Sequence, residues 1–255
     1  MAGDINPRTL QRRVVALRQW HTSQGFNDPT GHPLVKKTLT GIARQHGIPK
    51  VKAPALTLDA ILHINHVLLE KSTCRNTRDR ALVLIGFFGA FRRSELVAMQ
   101  IQDITFHKAG VEILVPRSKT DQSGEGRTCA IPRGEGALCP VDALQDWLAY
   151  LGESGPVFRR ITKTDEVLDA GFTGQQVSLI IKRLANMAAL ENANAYSGHS
   201  LRSGFATQAR RQGADLVSIM RQGRWQSERT VMGYIEAGDA FQENAAGVVL
   251  NATGD

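Results

Sequence analysis

Six side chains form a set suited to phosphate ester chemistry: Arg92, Lys119, His199, Arg202, Trp225 and Tyr234. A guanidinium fork matches two phosphate oxygens, an ammonium group can protonate a leaving alkoxide, and a phenol can act as a covalent nucleophile. His199 and Arg202 lie three residues apart in "GHSLR", so a helix would bring them to one face. Acting together, these groups would cleave a DNA strand by transesterification and store the bond energy in a phosphotyrosine, with neither metal nor ATP.

Most of these residues also have a simpler interpretation. A His-x-x-Arg spacing describes any solvated helix edge, and the chain has 7 histidines and 31 lysines and arginines. Lys119 lies in a loop, where lysine is common, and Trp225 also fits core packing. Tyr150 ends an apolar helix, which predicts a core position, and Tyr196 is expected to pack beneath the Gly-His turn at 198–199. Tyr234 is therefore the preferred nucleophile.

No metal, cofactor or membrane is expected as a partner. Asp59, His63 and His66 have helical spacing that could suit a metal, but no further ligand is evident. The longest apolar run, "ALVLIGFFGAF" at 81–91, is too short to span a bilayer, and the N-terminus has no apolar signal core. The three cysteines are odd in number and widely spaced, at Cys74, Cys129 and Cys139. This pattern favours a reducing cytoplasm over a disulfide framework or a zinc site.

The positive charge is concentrated at the start of the chain. The net charge is +7; residues 1–56 hold nine lysines and arginines against two acidic residues, and the rest of the chain is balanced. This distribution predicts contact with double-stranded DNA, although a solvated basic arm is the alternative. The candidate DNA-binding residues are Arg12, Arg13, Arg18, Lys36, Lys37 and Arg44.

The elements that would position these residues are mostly helices. Hydrophobic periodicity and helix-capping signals predict helices at 9–24, 34–46, 57–71, 77–89, 140–151, 174–189, 198–212, 215–222 and 227–237. Thr57 and Thr77 are the expected N-caps of two of them.

Residues 101–132 differ from the rest of the chain. The runs "QDITFH", "VEILVP" and "RTCAIP" predict a three-stranded antiparallel sheet, with Lys119 between its second and third strands. The expected fold class is thus mainly α with a small three-stranded antiparallel sheet (α+β). Pro49 and Pro54 disfavour helix in the segment that joins a domain at 1–52 to a domain at 53–255.

The order of the motifs resembles that of the tyrosine recombinases, the phage integrase family. Arg92 and Arg93 in "FRRSEL" follow an apolar helix, a lysine lies in a hairpin, and "GHSLR", "GRW" and "MGYI" follow. The passage 196–236 is especially similar to the Cre-like branch, and the resemblance covers about 57–250. It implies that Arg92 and Arg202 hold the scissile phosphate and that Glu95 braces the site. The spacing to Glu95 favours Arg92 over Arg93 as the first phosphate-binding arginine.

The resemblance assigns roles to the remaining members of the set. It implies that Lys119 is the general acid for the 5′-hydroxyl and that Tyr234 is the nucleophile. His199 would donate to the phosphate and act as a base toward the tyrosine. Trp225 would occupy a position that holds histidine or tryptophan in the family.

The resemblance also implies partners beyond the active site. Residues 1–52 would form the latter half of a helical core-binding domain that clamps DNA, with its front half absent, so we expect weakened binding and intact chemistry. In the catalytic domain at 53–255, an apolar segment after Tyr234 (Phe241, Ala245, Val248, Val249) would dock on a neighbouring protomer in a DNA-bound tetramer. Two alternatives stay open: a non-catalytic DNA-binding remnant and a relaxase of the type IB topoisomerase kind.

Overall fold

The computed structural model describes residues 5–48, 52–116, 126–238 and 246. The chain divides into two compact units, Met1–Lys52 and Ala53–Asp255.

The first unit contains two helices, α1 (Pro7–Ser23) and α2 (Pro33–His46). Each begins at a proline, whose fixed φ suits the first helical position. The Asn6 side chain caps α1 by accepting a hydrogen bond from the Arg8 N–H at 3.0 Å. The six candidate DNA-binding residues are all exposed on this unit. One of them, Arg18, pairs with Asp28 at 3.3 Å.

The second unit is mainly helical with a small antiparallel sheet, which confirms the predicted fold class. Its helices are α3 (Leu58–Leu69), α4 (Cys74–Phe88), α5 (Arg93–Ala98), α6 (Pro140–Leu148), α7 (Gly174–Met187), α8 (Gly198–Arg211), α9 (Leu216–Gly223) and α10 (Glu228–Gly238). The three-stranded sheet has the order β1 (Ile104–His107), β2 (Gly110–Val115) and β3 (Arg127–Pro132), all antiparallel. A separate hairpin joins β4 (Arg159–Ile161) to β5 (Val167–Gly171).

Helix α4 is the centre of the second unit. Every residue from 81 to 87 is buried, which is the pattern of a helix that is surrounded by other elements. It packs against α3, α6 and α8. Burying a large aliphatic side chain contributes about 1.5–3 kcal/mol, so this run fixes the position of the turn at 89–92 that follows α4.

A buried ionic network ties α4 to α7. The Asp79 carboxylate is fully buried and accepts hydrogen bonds from Arg78 at 2.6 and 2.8 Å and from Arg183 of α7. Arg78 also donates to the Arg159 carbonyl at 3.2 Å. Each buried charge in this network therefore has a partner, as the low polarity of the interior demands.

Helix α8 lies close to the segment that leads into α3. The Leu56 N–H donates to the Ser200 carbonyl at 3.0 Å, and a Cβ on Gly204 would lie 2.0 Å from the Leu56 oxygen. Glycine at 204 therefore allows the two backbones to approach.

Several sequence-based expectations are wrong in detail. Helix α4 starts at Cys74 with Thr73 as its N-cap, not at Thr77. The short helix α5 and the β4–β5 hairpin were not predicted. Tyr150 is 48% exposed and stacks on Trp147, so its expected core position is wrong. It lies beyond the end of α6, whose C-cap is Ala149.

Candidate active site

The turn after α4 delivers Arg92 to the N-cap of α5. The Arg92 Nη1 donates to Glu95 Oε1 at 2.6 Å, and the Arg92 backbone N–H donates to Glu95 Oε2 at 2.9 Å. Glu95 itself is buried in the first turn of α5. Arg93 points elsewhere, to Ser178 of α7 at 3.4 Å. The structure therefore places Arg92, rather than Arg93, beside the carboxylate.

A second guanidinium reaches the same carboxylate from the end of α9. Arg224 is 3% exposed and donates from Nη2 to Glu95 Oε2 at 3.0 Å. Burial acts to raise the pKa of Glu95, but Arg224 and the hydrogen bonds from Arg92 outweigh it, so this pKa lies below its usual value. Glu95 is therefore ionised at neutral pH and holds two arginines together.

Arg202 of α8 is buried with an unused donor. One Nη donates to the Ala90 carbonyl, in the turn that carries Arg92, and the guanidinium lies 4.0 Å from the centre of the Trp225 ring. The other, Arg202 Nη2, is buried and has no hydrogen-bond partner within the described part of the chain. Burial, and next the nearby Arg92 charge, lower the pKa of Arg202 from the ordinary arginine value to about 9.

Trp225 forms one wall of the site. Its ring occupies the space where a side chain on Gly223 would go, because a Cβ there would lie 1.9 Å from the Trp225 ring. The ring packs between Arg202 and Tyr234, whose ring centre is 6.2 Å away. Trp225 is 7% exposed and therefore also belongs to a small apolar cluster, so packing and a polar role coexist at this residue.

Tyr234 of α10 lies across from His199 of α8. The two ring centres are 5.2 Å apart in an edge-to-face arrangement. Burial raises the pKa of the Tyr234 phenol, while the Arg202 and Arg92 charges and a side-chain hydrogen bond with Trp225 act in the opposite direction. The Tyr234 backbone carbonyl accepts a hydrogen bond from Thr207 at 3.2 Å, which helps to fix α10 against α8.

The structure brings together five of the six residues that the sequence singled out, together with Glu95. Lys119 lies outside the described residues, as does the apolar C-terminal segment that contains Phe241, Ala245, Val248 and Val249. Asp59, His63 and His66 all belong to α3, apart from this cluster. Within the ranges that the structure describes, no group of three or more His, Cys, Asp or Glu could hold a metal ion. In the same ranges, no helix combines the length and the apolar character needed to cross a bilayer.

Sequence reasoning missed Arg224. It stands in the left-handed backbone region, with φ 56° and ψ 42°, which a sequence usually signals with glycine or asparagine. Its carboxylate partner is 129 residues away along the chain. No local pattern could have revealed this pairing.

The arrangement has the charge and the donors to hold an oxyanion. Arg92, Arg202 and Arg224 surround one carboxylate, Glu95, so the cluster carries excess positive charge. Preorganised donors in a buried site stabilise the charge that develops on phosphate oxygens and need no reorganisation. A phenol stands beside these donors, and phenols can form covalent phosphoester links.

Comparisons with known proteins agree with this geometry. Residues 54–240 match the family model described as "Phage integrase family". The chain is 38% identical to the integrase/recombinase xerD homolog of Selenomonas ruminantium, over 98% of this chain and 74% of that protein. It is 24% identical to the recombinase cre of Escherichia phage P1, over 97% of this chain and 75% of that protein. The Cre-like assignment therefore stays a prediction.

Solved structures share the fold. The Tn1549 transposon integrase (residues 82–397), solved in complex with circular intermediate DNA, superposes with a TM-score of 0.63 at 14% identity, over 97% of this chain and 80% of that one. The family model covers most of the chain, and the xerD homolog is similar over nearly all of it. The chain thus belongs to the phage integrase family, the tyrosine recombinases, which cut and rejoin DNA strands.

Proposed function

We propose that the chain is a site-specific recombinase that cleaves double-stranded DNA through a 3′-phosphotyrosine on Tyr234. The observation that carries the proposal is Arg202 Nη2, which is buried beside Arg92 and has no hydrogen-bond partner among the residues that the structure describes. A buried guanidinium donor without a partner is costly, and a phosphate oxygen would satisfy it. The scissile phosphate is the anion that fits there, because the phenol of Tyr234 lies next to the same two arginines.

The reaction exchanges one phosphoester bond for another. The Tyr234 oxygen attacks phosphorus, a bond from this oxygen to phosphorus forms, and the bond from phosphorus to the 5′-oxygen breaks. Arg92 and Arg202 hold the non-bridging oxygens, on which charge develops in the transition state. Because a phosphodiester is retained as a phosphotyrosine, the attack of a 5′-hydroxyl rejoins the strand without ATP.

Two proton transfers accompany this exchange. His199 accepts the phenol proton, a role supported by its position 5.2 Å from the Tyr234 ring. Lys119 donates a proton to the departing 5′-oxygen. The Trp225 side chain forms a hydrogen bond with the phenol in the unliganded protein, and its indole N–H would donate to a phosphate oxygen when DNA binds.

DNA is held by contacts outside the active site as well. The exposed arginines and lysines of α1 and α2 would neutralise backbone phosphates. We further propose that the chain acts as a tetramer on DNA, joined through its C-terminal apolar segment, and that it works in the cytoplasm, where its substrate is found.

A covalent trapping experiment tests the proposal. The protein is incubated with nicked duplexes derived from its own genomic flanks and with random duplexes of equal length, and denaturant-resistant protein–DNA adducts are counted. The chain has three tyrosines, so Tyr150→Phe and Tyr196→Phe serve as matched controls for Tyr234→Phe. We expect an adduct on a flank duplex that only Tyr234→Phe abolishes, with DNA binding retained.

Other outcomes would contradict the proposal. Equal adduct yields on flank and random duplexes would favour a non-specific relaxase. Binding without an adduct on any duplex would favour a non-catalytic DNA-binding protein.

A further inference from the structure

We propose that Arg224 is a positioning residue of the active site, which holds the Arg92–Glu95 pair in the geometry that binds the scissile phosphate. This inference rests on the proposed function. Arg224 is 3% exposed and does not reach the substrate face, so it would act through its two partners.

Arg224 contacts both members of the pair. Its Nη2 donates to Glu95 Oε2 at 3.0 Å, while Arg92 Nη1 donates to Glu95 Oε1 at 2.6 Å. The Arg224 backbone carbonyl accepts from Arg92 Nη2 at 3.3 Å. One residue therefore restrains the Arg92 guanidinium twice, directly through its carbonyl and indirectly through Glu95.

The same side chain joins the end of α9 to the turn after α4. It donates to the Gly89 carbonyl at 3.2 Å and to the Gln222 carbonyl at 2.9 Å, and it stacks on the Phe91 ring at 4.6 Å. Gly89 and Phe91 flank Ala90, whose carbonyl holds Arg202. Arg224 therefore supports the segment from which both phosphate-binding arginines are positioned.

The backbone conformation argues that the side chain is needed. Arg224 has φ 56°. A non-glycine residue in the left-handed region is strained, and glycine would avoid most of this strain. The strain is offset by the hydrogen bonds and the ion pair that glycine could not make.

The charge of Arg224 should have a measurable effect on the pKa of Glu95. The charged and titratable groups that face this carboxylate are Arg92, Arg224, Arg202 and Cys129. An opposite charge beside a carboxylate lowers its pKa. Arg224 is the strongest influence that opposes burial at Glu95, so its removal should raise the pKa of Glu95. Protonation of Glu95 would release Arg92, so the acid limb of cleavage should move to higher pH.

Two measurements on Arg224→Gln test the inference. The Glu95 carboxyl is titrated by ¹³C NMR in the unliganded protein, assigned through Glu95→Gln, and the rate of adduct formation is followed from pH 4 to 9 at saturating DNA. Arg221→Gln removes an exposed arginine from the same helix and serves as the control. We expect the Glu95 titration and the acid limb of cleavage to move to higher pH in Arg224→Gln, to stay in place in Arg221→Gln, and to be partly restored in Arg224→Lys.

A second variant tests the inference if Arg224→Gln fails to fold. Arg224→Gly removes the side chain together with the backbone strain, and added guanidinium chloride should restore cleavage relative to sodium chloride at equal ionic strength. An unmoved Glu95 titration and an unmoved acid limb in folded Arg224→Gln would overturn the inference, as would a folded Arg224→Gly with parental cleavage. Absence of a Tyr234-dependent adduct in the parent would instead refute the proposed function, while the NMR titration still reports on the pairing.

Discussion

Replacing Arg202 with methionine should make the protein more stable and inactive. Burial, and next the neighbouring Arg92 charge, lower the pKa of Arg202 from the ordinary arginine value to about 9. At a pH below 9, the Arg202 guanidinium is charged in both the folded and the unfolded protein. The free-energy cost of burying this charge is therefore fully present at neutral pH, and it fades only as the pH rises above 9. At about 1.4 kcal/mol per pKa unit, this cost is on the order of 5 kcal/mol.

Two favourable contacts are lost in the same variant. The Ala90 carbonyl loses its donor, which costs about 1–3 kcal/mol, and the stacking on Trp225 is worth about 1–2 kcal/mol. Removing the burial cost and losing these two contacts together raise the free energy of unfolding by on the order of 1–2 kcal/mol. For a domain of this size that corresponds to a rise in melting temperature of about 2–6 °C. The rate of adduct formation should fall by about 10²–10³, because one donor to the transition state is lost.

The assay is thermal melting in a buffer without phosphate or sulfate, since a bound anion would offset the cost. Arg78→Met is the matched control, because Arg78 is buried but paired with Asp79 at 2.6 Å. Its loss should lower stability by about 3–5 kcal/mol. A fall in the melting temperature of Arg202→Met would contradict this prediction, because it would mean that the guanidinium stabilises the unliganded fold.

Two further predictions concern packing and DNA contact. Gly204→Ala would place a Cβ 2.0 Å from the Leu56 oxygen and should lower the free energy of unfolding by about 1–3 kcal/mol in a urea melt. Gly152→Ala is the control and should leave stability unchanged, because the space around Gly152 is open. Equal stability of the two variants would contradict the close approach of the two backbones. Lys36→Ala combined with Lys37→Ala should reduce the slope of log K against log salt by about 0.9 per lost phosphate contact, and Lys163→Ala, on the turn of the β4–β5 hairpin, should leave it unchanged.

The long helices were predictable because their signals are local. The start of α4 was placed too late, although Thr73 offers a local cap: its Oγ1 accepts from the Asn76 N–H at 3.1 Å. The first two N–H groups of the helix are capped from far away, because the Asp165 carboxylate accepts from the Cys74 N–H at 2.8 Å and from the Arg75 N–H at 3.0 Å. Thr73 and Thr77 are both N-cap residue types, and a contact across some 90 residues supports the earlier start in the folded chain.

The active site was predictable as a set of residue types but not as a geometry. The Arg92–Glu95 spacing of three residues is local, and the structure places the two side chains in contact. The second partner of Glu95, Arg224, depends on the packing of α9 against the turn after α4, which no spacing encodes. The unused donor of Arg202 is likewise a property of burial, and sequence gives no measure of it.

In the proposed reaction, Tyr234 becomes covalently linked to a DNA 3′-phosphate. Peptide mapping by mass spectrometry of the trapped adduct, after digestion of protein and DNA, detects this bond directly. We expect a nucleotide on the peptide that contains Tyr234, joined through its 3′-phosphate, and a free 5′-hydroxyl on the other strand end. A nucleotide on Tyr150, Tyr196 or a serine, or a linkage through a 5′-phosphate, would contradict it.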